Sequence, residues 1–110
     1  MAVKWAVANG NWNAGATWNG GVVPADGDDV YANNYEIIMN VSTINIGSIN
    51  TTEYPDYNIA RGGQFIFNTT RIFQAERTCD LRYSSGISIF YNGSNADCYF
   101  TAPLIKSNGV

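Results

Sequence analysis

Apolar and polar positions alternate at the start of the chain. Val3, Trp5 and Val7 are interleaved with Lys4, Ala6 and Ala8, the two-residue period of a half-buried strand. The spacing predicts a strand over 2–8 with Val3, Trp5 and Val7 toward the core. Short strands are expected again at 30–32, 36–41, 43–49, 64–68, 79–83, 87–91 and 98–101, each an apolar or alternating run bounded by Gly, Asn or Ser. Ile37, Met39 and Val41 share one face of their segment, and Phe65 and Phe67 share a face opposite Ile66. The run 70–77 carries no assignment, because Ile72, Phe73 and Ala75 fit one or two helical turns about as well as an irregular strand.

The punctuation between these runs is specific. Trp18 is followed by Gly20-Gly21, which open backbone angles closed to other residues, and by Pro24, which fixes its own φ and keeps Val23 extended. Asp26, Gly27 and Asp28 form a turn that feeds the strand at Val30. The segment 9–21, dense in Asn and Gly around Trp12 and Trp18, reads as an ordered loop whose two rings cover core that no sheet covers. Thr51 to Asn58, with Tyr54, Pro55 and Tyr57 in a polar setting, reads as an exposed loop, and Gly62-Gly63 restart a strand. Gaps this short hold no crossover helix, which leaves antiparallel hairpins or successive edges of a solenoid coil. The fold class is therefore all-β, either a short β-solenoid of the β-helix kind or a compact β-sandwich. Residues 1–102 form one domain, and 103–110 a tail or an arm reaching a neighbour.

Composition narrows the partners. The 110 residues carry only 14% charged side chains and a net charge of −3, against about 25% charged in an ordinary soluble domain. A surface built of Asn, Ser, Thr and Gly suits stacked strands, and suits a chain that meets other copies of itself. No Lys/Arg cluster offers a footprint for nucleic acid. No apolar run is long enough for a membrane helix, and the start of the chain is too interrupted for a leader peptide. Cys79 and Cys98 could bridge only from neighbouring strands; two buried free thiols are the preferred reading.

The chain has no histidine, which removes the usual general base and the commonest metal ligand. The carboxylates Glu36, Glu53, Asp56, Glu76, Asp80 and Asp97 fall in no motif that would pair two of them across a cleft. No catalytic, cofactor or metal residue is assigned, and no enzymatic activity is expected. Asp26, Asp28 and Asp29 could offer oxygens to calcium, but the rest of a calcium loop is missing and Asp is a preferred turn residue. Asn40, Asn50, Asn68 and Asn92 head Asn-x-Ser/Thr triplets, read here as turn and ladder residues. Trp12, Trp18, Tyr54 and Tyr57 are the candidate interaction residues, since rings of this kind stack on sugars; the area an indole buries favours a structural role for the two Trp.

The segment TWNGGVVPADGDDVYAN, followed by EIIMNV, INIGSI and GGQFIF, resembles the N-terminal glycine-rich modules of parallel β-helix-like proteins. Such modules occur on bacterial surface adhesins, on extracellular carbohydrate-handling proteins and in fibre or decoration proteins of bacteriophage particles. The shared pattern is Trp18, Gly20-Gly21, Pro24, Asp28-Asp29 and the restart at Gly62-Gly63, over about the first 67 residues. The resemblance implies a non-enzymatic structural protein of a virion, a head-decoration or fibre-type component that assembles as a homo-oligomer with itself and with other virion proteins. The alternative it implies is an extracellular carbohydrate-binding or adhesin module with a glycan partner.

Overall fold

A computed structural model describes residues 2–41, 43–56, 64–67, 71–81, 90–92 and 98–106. Among them there is no α-helix. The strands are β1 (Val3–Trp5), β2 (Gly10–Asn11), β3 (Asp29–Tyr31), β4 (Glu36–Ile38), β5 (Thr43–Ile46), β6 (Ser48–Asn50), β7 (Gln64–Phe67), β8 (Arg71–Ala75), β9 (Cys79–Asp80), β10 (Phe90–Asn92), β11 (Cys98–Thr101) and β12 (Ile105–Lys106), with 3₁₀ turns at Gly15–Thr17 and Asn19–Gly21. The chain is all-β.

Every pairing between these strands is parallel, so they do not form the antiparallel hairpins that the short gaps also allowed. One sheet has the order β1-β3-β6, a second β10-β7-β4-β2 and a third β11-β8-β5, while β12 pairs with β9. The chain visits the three sheets in rotation, β3 to β4 to β5 and then β6 to β7 to β8. Parallel neighbours need a long connection, and here the other two sheets supply it in place of a helix. β9 sits beside β6, because Thr51 N–H donates to the Asp80 carbonyl at 2.9 Å and Asp80 N–H to Asn50 Oδ1 at 3.0 Å.

Register decides which side chains meet. Val30 lies against Ile49, and Ile37 against Phe65. With Ile46, Met39, Cys79 and Leu81 they are all buried and form the core. The opposite row of the third sheet, Asn45, Gln74 and Thr101, is exposed. This inside-outside alternation is what a period of two produces when one sheet face is covered.

Several expectations need correction. In β1 the buried row is that of Lys4, which pairs with Val30, whereas Trp5 pairs with Tyr31. Val3 and Trp5 are half-buried, Val7 is 48% exposed, and the fully buried residue here is Ala6. A single edge strand does not fix its own register. Half-buried Lys4 is tolerated on the inner row, since its stem can cover apolar surface while the ammonium stays in water. The expected strand over 43–49 is two strands broken at Gly47, and the unassigned run 70–77 contains β8. The start of the supposed exposed loop is buried, with Thr51 at 0% and Thr52 at 1% exposure, because β9 packs beside it. Within the segment 103–110, expected as a tail or arm, Ile105–Lys106 pairs with β9. Gly62-Gly63 lie outside the described residues.

Candidate functional site

The acidic turn is a structural corner. Asp28 N–H closes the turn on the Ala25 carbonyl at 3.1 Å, with Gly27 at φ 84°, a region closed to most side chains. The buried Asp28 carboxylate accepts from Ala2 N–H at 2.9 Å and from Ala25 N–H at 2.8 Å. Asp29 Oδ1 accepts from Ser48 Oγ at 2.7 Å and from Arg77 Nε at 3.0 Å, and Arg77 Nη2 donates to the Gly27 carbonyl at 2.6 Å. Residues 27–29, 47–48 and 77 belong to successive layers of the stack, so one guanidinium spans them. Both carboxylate oxygens of Asp28 and Oδ1 of Asp29 are thus engaged by the fold. Asp26 is exposed.

The asparagines do similar work at other corners. Trp5 N–H donates to Asn19 Oδ1 at 2.8 Å, Asn13 N–H to Asn40 Oδ1 at 3.0 Å and Glu36 N–H to Asn9 Oδ1 at 2.9 Å. Asn33, at φ 53°, donates through Nδ2 to the Ala6 carbonyl and accepts from Tyr54 N–H. Asn50 is 5% exposed and staples three layers: Nδ2 donates to the Val30 carbonyl at 3.1 Å and to Ser48 Oγ at 3.0 Å, and Oδ1 accepts from Asp80 N–H. Side-chain amides suit this role, as they carry both a donor and an acceptor.

Of the four candidate interaction residues, Trp12 and Trp18 are 4% and 1% exposed. Their rings meet edge to face with centroids 5.3 Å apart, and Trp18 Nε1 donates to the Trp12 carbonyl at 2.8 Å. Neither ring offers an open stacking face. Tyr54 is half-buried and stacks on Trp5 at 4.9 Å, with Tyr31 tilted against it at 5.3 Å. Tyr57 lies outside the described residues. Among the described residues, the half-buried cluster Trp5, Tyr31 and Tyr54 is therefore an aromatic surface that the structure assembles. The sequence reading missed Trp5 and Tyr31, because the register that pairs them is not written in either segment.

Cys79 is a buried free thiol. Burial chiefly pushes its pKa up; the hydrogen bond it accepts from Ile49 N–H at 3.4 Å opposes this, and the Asp29 charge adds to it. Such a thiol is a core residue rather than a nucleophile. The side chain of Cys98 lies outside the description. Glu36, Asp56 and Glu76 are exposed, Glu53 and Asp80 half-buried, and Asp97 is not among the described residues.

No family model, curated protein or solved structure matches the chain.

Proposed function

We propose that the chain is a short parallel β-solenoid that acts as a non-enzymatic structural component of a virus particle, of head-decoration or fibre type, through protein–protein assembly. The observation that carries this reading is the rotation of the chain through three parallel sheets. Such a stack grows by adding one more layer at an end, and its last strands, β10, β11 and β12, each have a partner on one side only among the described residues. Unpaired edges recruit further strands unless they are covered. A charged residue discourages that; β10 and β11 carry none, whereas β12 carries Lys106. The particle setting comes from the likeness of the Trp18 to Asp29 segment to glycine-rich modules of phage fibres and decorations, and it makes the virion the expected location. The extracellular carbohydrate-binding alternative loses its two strongest residues through the burial of Trp12 and Trp18.

Light scattering on the chain eluting from a sizing column tests the assembly reading. A mass that is a multiple of 12.0 kDa at micromolar concentration is expected. A monomer that persists across the micromolar range would overturn it.

A further inference from the structure

The two ends of the stack differ. At the first layer the chain folds back over its own edge. Ala6 N–H donates to the Tyr31 carbonyl in β3, while the amides on either side of it are taken from the opposite direction, Trp5 N–H by Asn19 Oδ1 at 2.8 Å and Val7 N–H by the Thr17 carbonyl at 2.8 Å. Ala6 and Trp18 form an antiparallel bridge there. The turn Gly15–Thr17 lies over β2 so closely that a Cβ on Gly10 would fall 2.5 Å from Thr17 Oγ1. An incoming strand therefore finds the outer edge of β1 already occupied.

At the other end β10, β11 and β12 are the last strands of the second, third and first sheets, each with a partner on one side only among the described residues. None of these strands carries an acidic residue, and of the nine acidic residues in the chain only Asp97 lies beyond Asp80. Two chains of net charge −3 meet here with the least repulsion. Leu104, at the corner that leads into β12, is 57% exposed. An end face of a molecule measuring 33 × 28 × 25 Å offers about 600–900 Å², the size of a standard interface at roughly 800 Å² per partner.

The shape of this end is complementary to itself. One circuit through three sheets climbs one strand spacing, about 4.8 Å, so successive strands of the last circuit step up by about a third of that. β10 is the low step, β11 the middle and β12 the high one. A two-fold axis through the middle of β11, perpendicular to the stack, sets β11 against its copy and each β12 against the other chain's β10. High step then meets low step, and all three gaps equal one strand spacing. Strands related in this way run antiparallel, the slightly more stable pairing. Lys106 of β12 faces uncharged β10 and not a second Lys106.

We propose that this end docks a second copy of the same chain, tail to tail, in a closed two-fold dimer. That surface presupposes the solenoid and assembly reading above, and it sets a limit on assembly, because the first layer of each copy is closed and growth stops at two chains.

Light scattering on the eluting full chain, repeated over a wide range of concentration, tests this. A mass of twice 12.0 kDa that stays level as concentration rises is expected. Thr101→Lys and Leu104→Lys each place a charge at an exposed position of the open end and should raise the concentration of half-dissociation about tenfold or more. Val7→Lys, also exposed but at the closed end, should leave it unchanged. A circular dichroism spectrum like the parent's identifies the variants that are folded. Species of three or more chains that grow with concentration would leave the assembly reading standing and refute the two-fold closure, whereas a persistent monomer would refute both. The open end is the wrong surface if the folded Thr101 and Leu104 variants dimerise like the parent, or if Val7→Lys dissociates the dimer as they do.

Discussion

Replacing Gly47 with alanine probes the corner that ties three layers together. Gly47 separates β5 from β6. Its N–H donates to the Asp28 carbonyl at 2.8 Å, and its own carbonyl accepts from Arg77 N–H at 2.8 Å. Its φ is not in the left-handed region, so space rather than backbone conformation demands glycine. An added Cβ would lie 2.5 Å from the Gly27 carbonyl oxygen and would collide with the Arg77 guanidinium. The guanidinium can swing away at the loss of its bonds to Gly27 and Asp29. The carbonyl belongs to a tight turn and can yield only by moving the turn. Overpacking of this kind costs about 1–3 kcal/mol, and the displaced arginine adds to it, so a loss of about 3 kcal/mol is expected. That is a large part of the roughly 5–15 kcal/mol that holds a domain together. In urea, with a slope of about 1–3 kcal/mol per molar, the midpoint should fall by about 1–3 M. Arg77→Ala alone should cost about 2 kcal/mol, because its ion pair with Asp29 is partly exposed and screened while its bond to the Gly27 carbonyl is charge-assisted. With Arg77 already gone, Gly47→Ala should cost about 1 kcal/mol less. If Gly47→Ala leaves the midpoint in place, or if the two losses add within about 0.5 kcal/mol, the account of this corner is wrong.

Three other outcomes follow from the same structure. Trp18→Ala should cost about 3–5 kcal/mol by opening a cavity in the core, and Trp18→Phe about 1–3 kcal/mol by leaving the Trp12 carbonyl without its indole donor; chemical denaturation followed by circular dichroism reads both. Asn50→Ala strips partners from Val30 and Asp80 together, so it should destabilise by about 2–4 kcal/mol and speed hydrogen exchange at the Asp80 amide, whereas Asn40→Ala, at an exposed rim, should cost under about 1 kcal/mol. Because the Cys79 pKa is raised above 9.0 in the folded chain, the unfolded chain gives up that proton first. Stability from this group should therefore be intact below pH 9 and fall as the pH climbs toward the native value. Cys79→Ala should flatten that alkaline slope, and a thiol reagent should react with Cys79 only as fast as the chain opens.

Much of the architecture is legible from local pattern. Gly20-Gly21, Pro24 and the acidic turn mark where the chain must bend, and the dense alternation of short apolar runs argues against a helical domain. The two indoles of the 9–21 segment are also readable as cover for the core, since so large a ring in a Gly/Asn setting has little else to pack on, but Gly10–Asn11 in that segment form β2 beside β4 and not loop. These features depend on residues close together in sequence, whose conformational limits act within a few bonds.

Which residues meet across the layers is a different kind of information. Trp5 faces Tyr31, Asn50 reaches Val30 and Asp80, and Arg77 spans to Gly27, over separations as large as 50 positions. A parallel pairing slipped by one residue would turn every one of these side chains to the opposite face, and nothing within a three-residue strand forbids the slip. Local chemistry sets where the chain extends and where it turns; the side of each strand that becomes core is chosen only when the layers stack and all their buried polar groups must find partners at once.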